Sequence, residues 1–134
     1  MMQGKRAAVY CRAADETVIE RQASMLAEAA QKNGWNEVFI YKDCGYPGIS
    51  LERPALKRLI ADIQAKRIEA VIVKDGDRLA RGMRPAVQFF RTAGRSGVKV
   101  FFLAGNTLEE IQLVDGCIPL LVTLSTMQNI SGGE

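Results

Sequence analysis

The chain has 134 residues, 18 basic and 15 acidic, for a formal net charge of +3, with 48% hydrophobic and 25% charged residues. These proportions describe a single globular domain with a real core and exclude a disordered, fibrous or membrane-spanning chain. Its 3 cysteines (Cys11, Cys44, Cys117) are too few for a disulfide framework, no pair has zinc-ligand spacing, and with 0 histidines no Ser-His or Cys-His pair exists. A reduced, intracellular, cytoplasmic protein without metal or cofactor is the expectation. The mild positive charge is compatible with a polyanionic partner.

In chain order, the apolar run Ala7 to Cys11 predicts a first strand ending at Arg12. Val18, Ile19, Met25, Leu26, Ala29 and Ala30 recur with a helical period that includes the polar Gln22, and Gly34 stops that helix. Val38 to Tyr41 predicts a second strand. The stretch Asp43-Cys44-Gly45-Tyr46-Pro47-Gly48 is loop chemistry. Pro54 then suits the first turn of a helix with Leu56, Leu59, Ile60 and Ile63 on one face.

Ala70 to Val73 predicts a third strand, buried on both faces. Charge follows abruptly, in Lys74, Asp75, Asp77, Arg78 and Arg81, with Gly76 allowing a turn. Arg78 and Arg81 are three apart, so one helical turn can aim both at one ligand. A third helix carries Met83, Val87, Phe90 and Ala93 or Gly94, Gly97 ends it, and Val98 to Leu103 predicts a fourth strand.

Strands alternating with helices over short connections predict an α/β three-layer sandwich around a mostly parallel sheet of four to five strands. After Asp115-Gly116, Pro119 can open a last helix, about 117–130, with Ile118, Leu120, Leu121, Val122, Leu124, Met127 and Ile130 on more than one face. It reads either as a final core helix on the sheet or as a subunit interface.

Arg12, Arg53, Arg78 and Arg81 would surround one pocket if the first and third strands are neighbours, because all four follow or flank strand ends. Guanidiniums clamped by carboxylates suit a phosphate. Taken singly, each arginine reads more readily as a surface charge paired with Asp43, Asp77 or Glu52.

The combination Tyr10-Cys11-Arg12, Gln22, Asp43-x-Gly45-x-x-Gly48, Glu52-Arg53-Pro54 and Asp77-Arg78-Leu79-x-Arg81 resembles the catalytic domain of serine recombinases, the resolvase/invertase family. The resemblance covers about residues 5–103 and, more loosely, extends to 129. It implies a resolvase-like domain, with a core over about 5–105, that acts on DNA without a metal. In that family a serine hydroxyl attacks a DNA phosphodiester and forms a covalent 5′-phosphoseryl link, and strands are exchanged within a tetramer. By position, Arg12, Arg53, Arg78 and Arg81 would hold the scissile phosphate, Asp77 would orient the arginines, Asp43 would support them, and Gln22 would support the nucleophile loop.

The departures bear on activity. The family's serine lies two residues after the first arginine, where this chain has Ala14, and a methyl group cannot attack phosphorus. Pro47 replaces the serine of the family's Gly-x-Ser-Gly loop. The family's Glu-Arg pair on the last helix is absent, since the chain reads Ile130-Ser131-Gly132-Gly133, and no separate DNA-binding domain is expected. Three departures together read more readily as natural divergence than as one engineered substitution. Thr17, Ser24 and Ser50 are displaced from the required position, and Cys11 alternates to the face opposite Arg12.

The expectation is a recombinase-derived domain that binds DNA phosphate weakly and does not cut it. Its partners would be DNA and, through the last helix, a second copy or an active recombinase. The alternative is a non-enzymatic oligomerising module or silent accessory subunit. A third reading, a nucleotide-binding or receiver-like domain, is weak, because the glycine-rich or Walker pattern is missing and the acidic residues are not gathered for a metal.

Overall fold

The structure is a computed structural model that describes residues 5–45, 52–74, 83–105 and 107–111. The elements are β1 (Arg6–Ala13), α1 (Glu16–Lys32), β2 (Glu37–Cys44), α2 (Pro54–Gln64), β3 (Ala70–Val73), α3 (Met83–Arg95), β4 (Lys99–Ala104) and β5 (Thr107–Ile111). They form one five-stranded sheet in the order β2-β1-β3-β4-β5. The first four strands in that order run parallel, and β5 is antiparallel to β4.

Strand alternation sends neighbouring side chains to opposite faces, and the core divides accordingly. Ala7, Val9 and Cys11 of β1, with Ala70 and Ile72 of β3, meet Ile19, Ala23, Leu26 and Ala30 of α1. Ala8 and Tyr10, with Val71 and Val73, meet Leu56, Leu59 and Ile63 of α2 and Phe89 and Phe90 of α3. Each fully buried Leu, Ile or Phe contributes about 1.5–3 kcal/mol, so both helical layers are held mainly by these stripes.

The helices end in a common way. Gly34 and Gly97, at φ +93° and +73°, take the left-handed position after α1 and α3, and the next residues bond back, Trp35 N–H to Ala30 and Val98 N–H to Ala93.

The predicted sandwich is present, with differences at its ends. The second strand continues to Cys44, so Asp43 lies in β2 and not in a loop. Strand β5 has no apolar signature, because Glu109 and Glu110 sit in its middle. It exists because Gly105, at φ +64°, turns the chain back along β4, pairing Leu103 with Leu108 and Val100 with Ile111. The predicted last helix lies outside the described residues.

Strands β2 and β3 lie on either side of β1, so the chain leaves β1 in opposite directions. The C-terminal ends of β1 and β3 therefore form a topological switch point, where α/β sheets open a crevice. Arg12 stands at that edge.

Candidate functional site

At the C-terminal end of the sheet, Arg12 of β1 pairs in register with Asp43 of β2. Asp43 is 2% exposed and its carboxylate is fully used. Oδ1 accepts from the Ala55 N–H at 2.9 Å, while Oδ2 accepts from the Leu56 N–H at 3.0 Å and the Tyr10 hydroxyl at 2.7 Å. Ala55 and Leu56 are in the first turn of α2, whose N-cap, Arg53, makes no side-chain cap bond. Asp43 thus caps α2 from a neighbouring strand and sits at the positive end of its dipole.

The arrangement places Arg53. Its Nη1 donates to the Tyr10 hydroxyl at 3.0 Å, its guanidinium carbon lies 5.7 Å from the Tyr10 ring centroid, and the residue is 1% exposed. The Tyr10 hydroxyl accepts from Arg53 and donates to Asp43, so proton positions along Arg53–Tyr10–Asp43 are ordered. Burial, then the bond to Asp43, pushes the Tyr10 phenol well above its ordinary pKa, and it stays protonated. A buried cation is costly unless hydrogen-bonded, and here that cost is met by a fixed orientation.

The structure places Arg12 beside Asp43 in register and ties Arg53 to Asp43 through Tyr10. Tyr10, which links Arg53 to Asp43, was not among the expected site residues. The available signal was its position two residues before Arg12, on the same face of the strand. Ala14 is exposed, between the end of β1 and Asp15, the N-cap of α1, whose side chain accepts from the Thr17 N–H at 2.6 Å.

Gln22 is elsewhere. It is 2% exposed on α1, the layer on the face of the sheet opposite Tyr10 and α2, and its Oε1 has no hydrogen-bond partner among the described residues. Asp77, Arg78, Arg81 and Pro47 lie outside the described residues.

Two thiols lie nearby. Cys11 is fully buried against α1, on the opposite face from Tyr10, and burial pushes its pKa up to about 12. Cys44 is exposed, with Sγ 3.6 Å from the Ala14 carbonyl oxygen. Among the described residues no group of three His, Cys, Asp or Glu side chains could hold a metal, and no helix is long and apolar enough to cross a membrane.

Chemically, the edge offers a guanidinium locked by a phenol and a carboxylate, beside a second arginine. Such fixed donors suit a phosphate oxygen.

Comparison with known proteins places the chain in a family. The chain is 38% identical over 102 residues to a putative DNA recombinase of Bacillus subtilis (strain 168), matching 74% of this chain but only 20% of that protein's length. It is similar to the N-terminal catalytic domain of TP901-1 integrase, with 34% identity, a TM-score of 0.68, and coverage of 74% of this chain and 77% of that one. It is also similar to the C-terminal catalytic domain of ISC1926 TnpA, an IS607-like serine recombinase, with 25% identity, a TM-score of 0.68, and coverage of 75% and 68%. A resolvase family site-specific recombinase from Streptococcus pneumoniae shares the fold at 20% identity, with a TM-score of 0.63 and coverage of 96% and 85%. Residues 7–118 match the model of the resolvase N-terminal domain, and the chain therefore belongs to the resolvase family of serine recombinases, as a homologue of their catalytic domain.

Proposed function

We propose that this domain holds a DNA phosphate in the arginine cradle of a serine recombinase and, with Ala14 at the nucleophile position, does not cleave it. In this reading Arg12 and Arg53 contact the phosphate together with Arg78 and Arg81, Asp77 orients the latter pair, and Gln22 supports the loop that carries Ala14. The observation that carries the reading is the buried Arg53, fixed through Tyr10 to Asp43 beside Arg12. Such an array can stabilise a phosphorane-like transition state but cannot start the reaction, which needs an attacking oxygen.

Binding to duplex DNA is then weak and salt-dependent, since few phosphates are neutralised. Titration at low salt detects it, and Arg78→Ala abolishes it while the circular dichroism spectrum is unchanged. Incubation with a suicide DNA substrate gives no shifted protein–DNA band on a denaturing gel; a band from the unaltered chain overturns the reading.

A second reading, a non-enzymatic module that assembles with itself or with an active recombinase, is favoured by exposed apolar side chains. Phe39 and Ile40 on the edge strand β2 are 43% and 47% exposed. A stable oligomer with no DNA binding at low salt selects this reading over the first.

A further inference from the structure

Strand β2 is an edge of the sheet among the described residues, since β1 alone pairs with it there. The bonds it already makes identify its outer side. Glu37 N–H reaches the Lys5 carbonyl at 3.0 Å and Gly45 N–H the Ala13 carbonyl at 2.8 Å, both toward β1. Successive residues of a strand turn their backbone groups to opposite edges, so Val38, Ile40 and Lys42 turn theirs outward. All 8 residues of β2 pair with β1 in unbroken register, so the edge lacks the bulge or proline that commonly guards one. Lys42, a possible guard, is drawn aside to Glu20 of α1 at 2.6 Å.

Phe39 and Ile40, both exposed, stand at the middle of this edge, one on each face of the sheet. On the α2 face an open hollow of about 390 Å³ adjoins the edge, walled in part by Phe39, Tyr41 and Ile68, with the Tyr41 hydroxyl fixed by Asp62. It exceeds the roughly 150 Å³ that holds a benzene ring. Outward backbone groups flanked by apolar side chains select another strand as occupant, and the hollow selects an aromatic residue on it. Strand β2 supplies both.

A two-fold axis perpendicular to the sheet extends it by antiparallel pairing and keeps facing residues on the same face. With the axis at Ile40, Ile40 faces itself and Val38 faces Lys42, and each pair exchanges both N–H···O bonds from its outward groups. Phe39 then stands opposite Tyr41 of the second copy, an aromatic cross-strand pair at the hollow. Glu37 faces Asp43, whose charge is already taken up by the α2 N-terminus. An axis at Tyr41 would set Ile40 against Lys42 and Phe39 against Asp43. An axis at Phe39 would leave the outward groups of Lys42 without a partner in β2.

We propose that β2 pairs antiparallel with β2 of a second copy about Ile40, joining two sheets into one. The proposal gives the assembly of the second reading its surface and rests on that reading, not on phosphate binding. Sedimentation of the full chain decides it. Ile40→Lys and Ile40→Glu each set like charges face to face and reduce the assembly to about half its mass, and an equimolar mixture of the two restores it. Circular dichroism is unchanged, because the side chain is exposed. In a Cys44→Ala, Cys117→Ala background, Ile40→Cys cross-links to its second copy on mild oxidation, since facing Cα atoms about 5.5 Å apart fit a disulfide. Phe39→Cys does not, because its copies lie diagonally, about 7–8 Å apart. A mass unchanged by either charge, a mixture that stays dissociated, or failure of Ile40→Cys to cross-link overturns the pairing while assembly through another surface stands. A chain that is monomeric at every concentration overturns both.

Discussion

Asp43 caps α2 through the N–H of Ala55, twelve residues further along the chain, at 2.9 Å. One carboxylate thereby joins the strand that carries it, the helix that follows, and the phenol that holds Arg53. Stability and site geometry depend on the same oxygen atoms.

Asp43→Ala removes the cap and leaves the Tyr10 hydroxyl, which accepts from Arg53, without its own acceptor. The expected loss is about 2–4 kcal/mol in urea unfolding. Tyr10→Phe leaves both cap bonds on Asp43 and costs about 1 kcal/mol. Equal losses from the two variants would show that the cap is not the dominant contribution.

Lys66 takes φ +60° at the end of α2, the place that glycine fills after α1 and α3. Lys66 N–H bonds to the Ile63 carbonyl and Arg67 N–H to the Asp62 carbonyl, both at 3.0 Å, so the turn is the same. Lys66→Gly relieves a left-handed side chain and is expected to stabilise by about 0.5–1 kcal/mol, read as a raised Tm. Lys66→Val, branched at Cβ, lowers it.

The buried Cys11 thiol makes stability fall in alkali. Its pKa rises from 9.0 to about 12 in the folded chain, so between these values the unfolded state binds fewer protons. The contribution is complete below pH 9, and it declines by up to about 1.4 kcal/mol per pH unit until the folded thiol itself ionises. Tyr10 and Tyr41, also raised by burial and by bonds to Asp43 and Asp62, add to the decline above pH 10. Urea unfolding at stepped pH reads the slope, which Cys11→Ala makes shallower just above pH 9.

In the proposed reading, Ala14→Ser puts a hydroxyl at the nucleophile position, on an exposed residue beside the Arg12 strand end. The expected result is a covalent band with a suicide DNA substrate, absent again in Ala14→Ser combined with Arg12→Ala. A band that persists in the double variant would remove Arg12 from the chemistry.

The sequence by itself determined the alternation of strands and helices, because buried strands and amphipathic helices write their periods directly into residue order. It also marked Arg12, Asp43 and Arg53 through their spaced motifs. Tertiary structure alone decided that β2 and β3 flank β1, that Asp43 continues a strand and caps a helix, and that Tyr10 joins Arg53 to Asp43. It alone produced β5 from the two-glutamate stretch Thr107–Ile111. These facts rest on partners distant in sequence: a hydrogen bond between residues 33 or 43 positions apart leaves no local period to read.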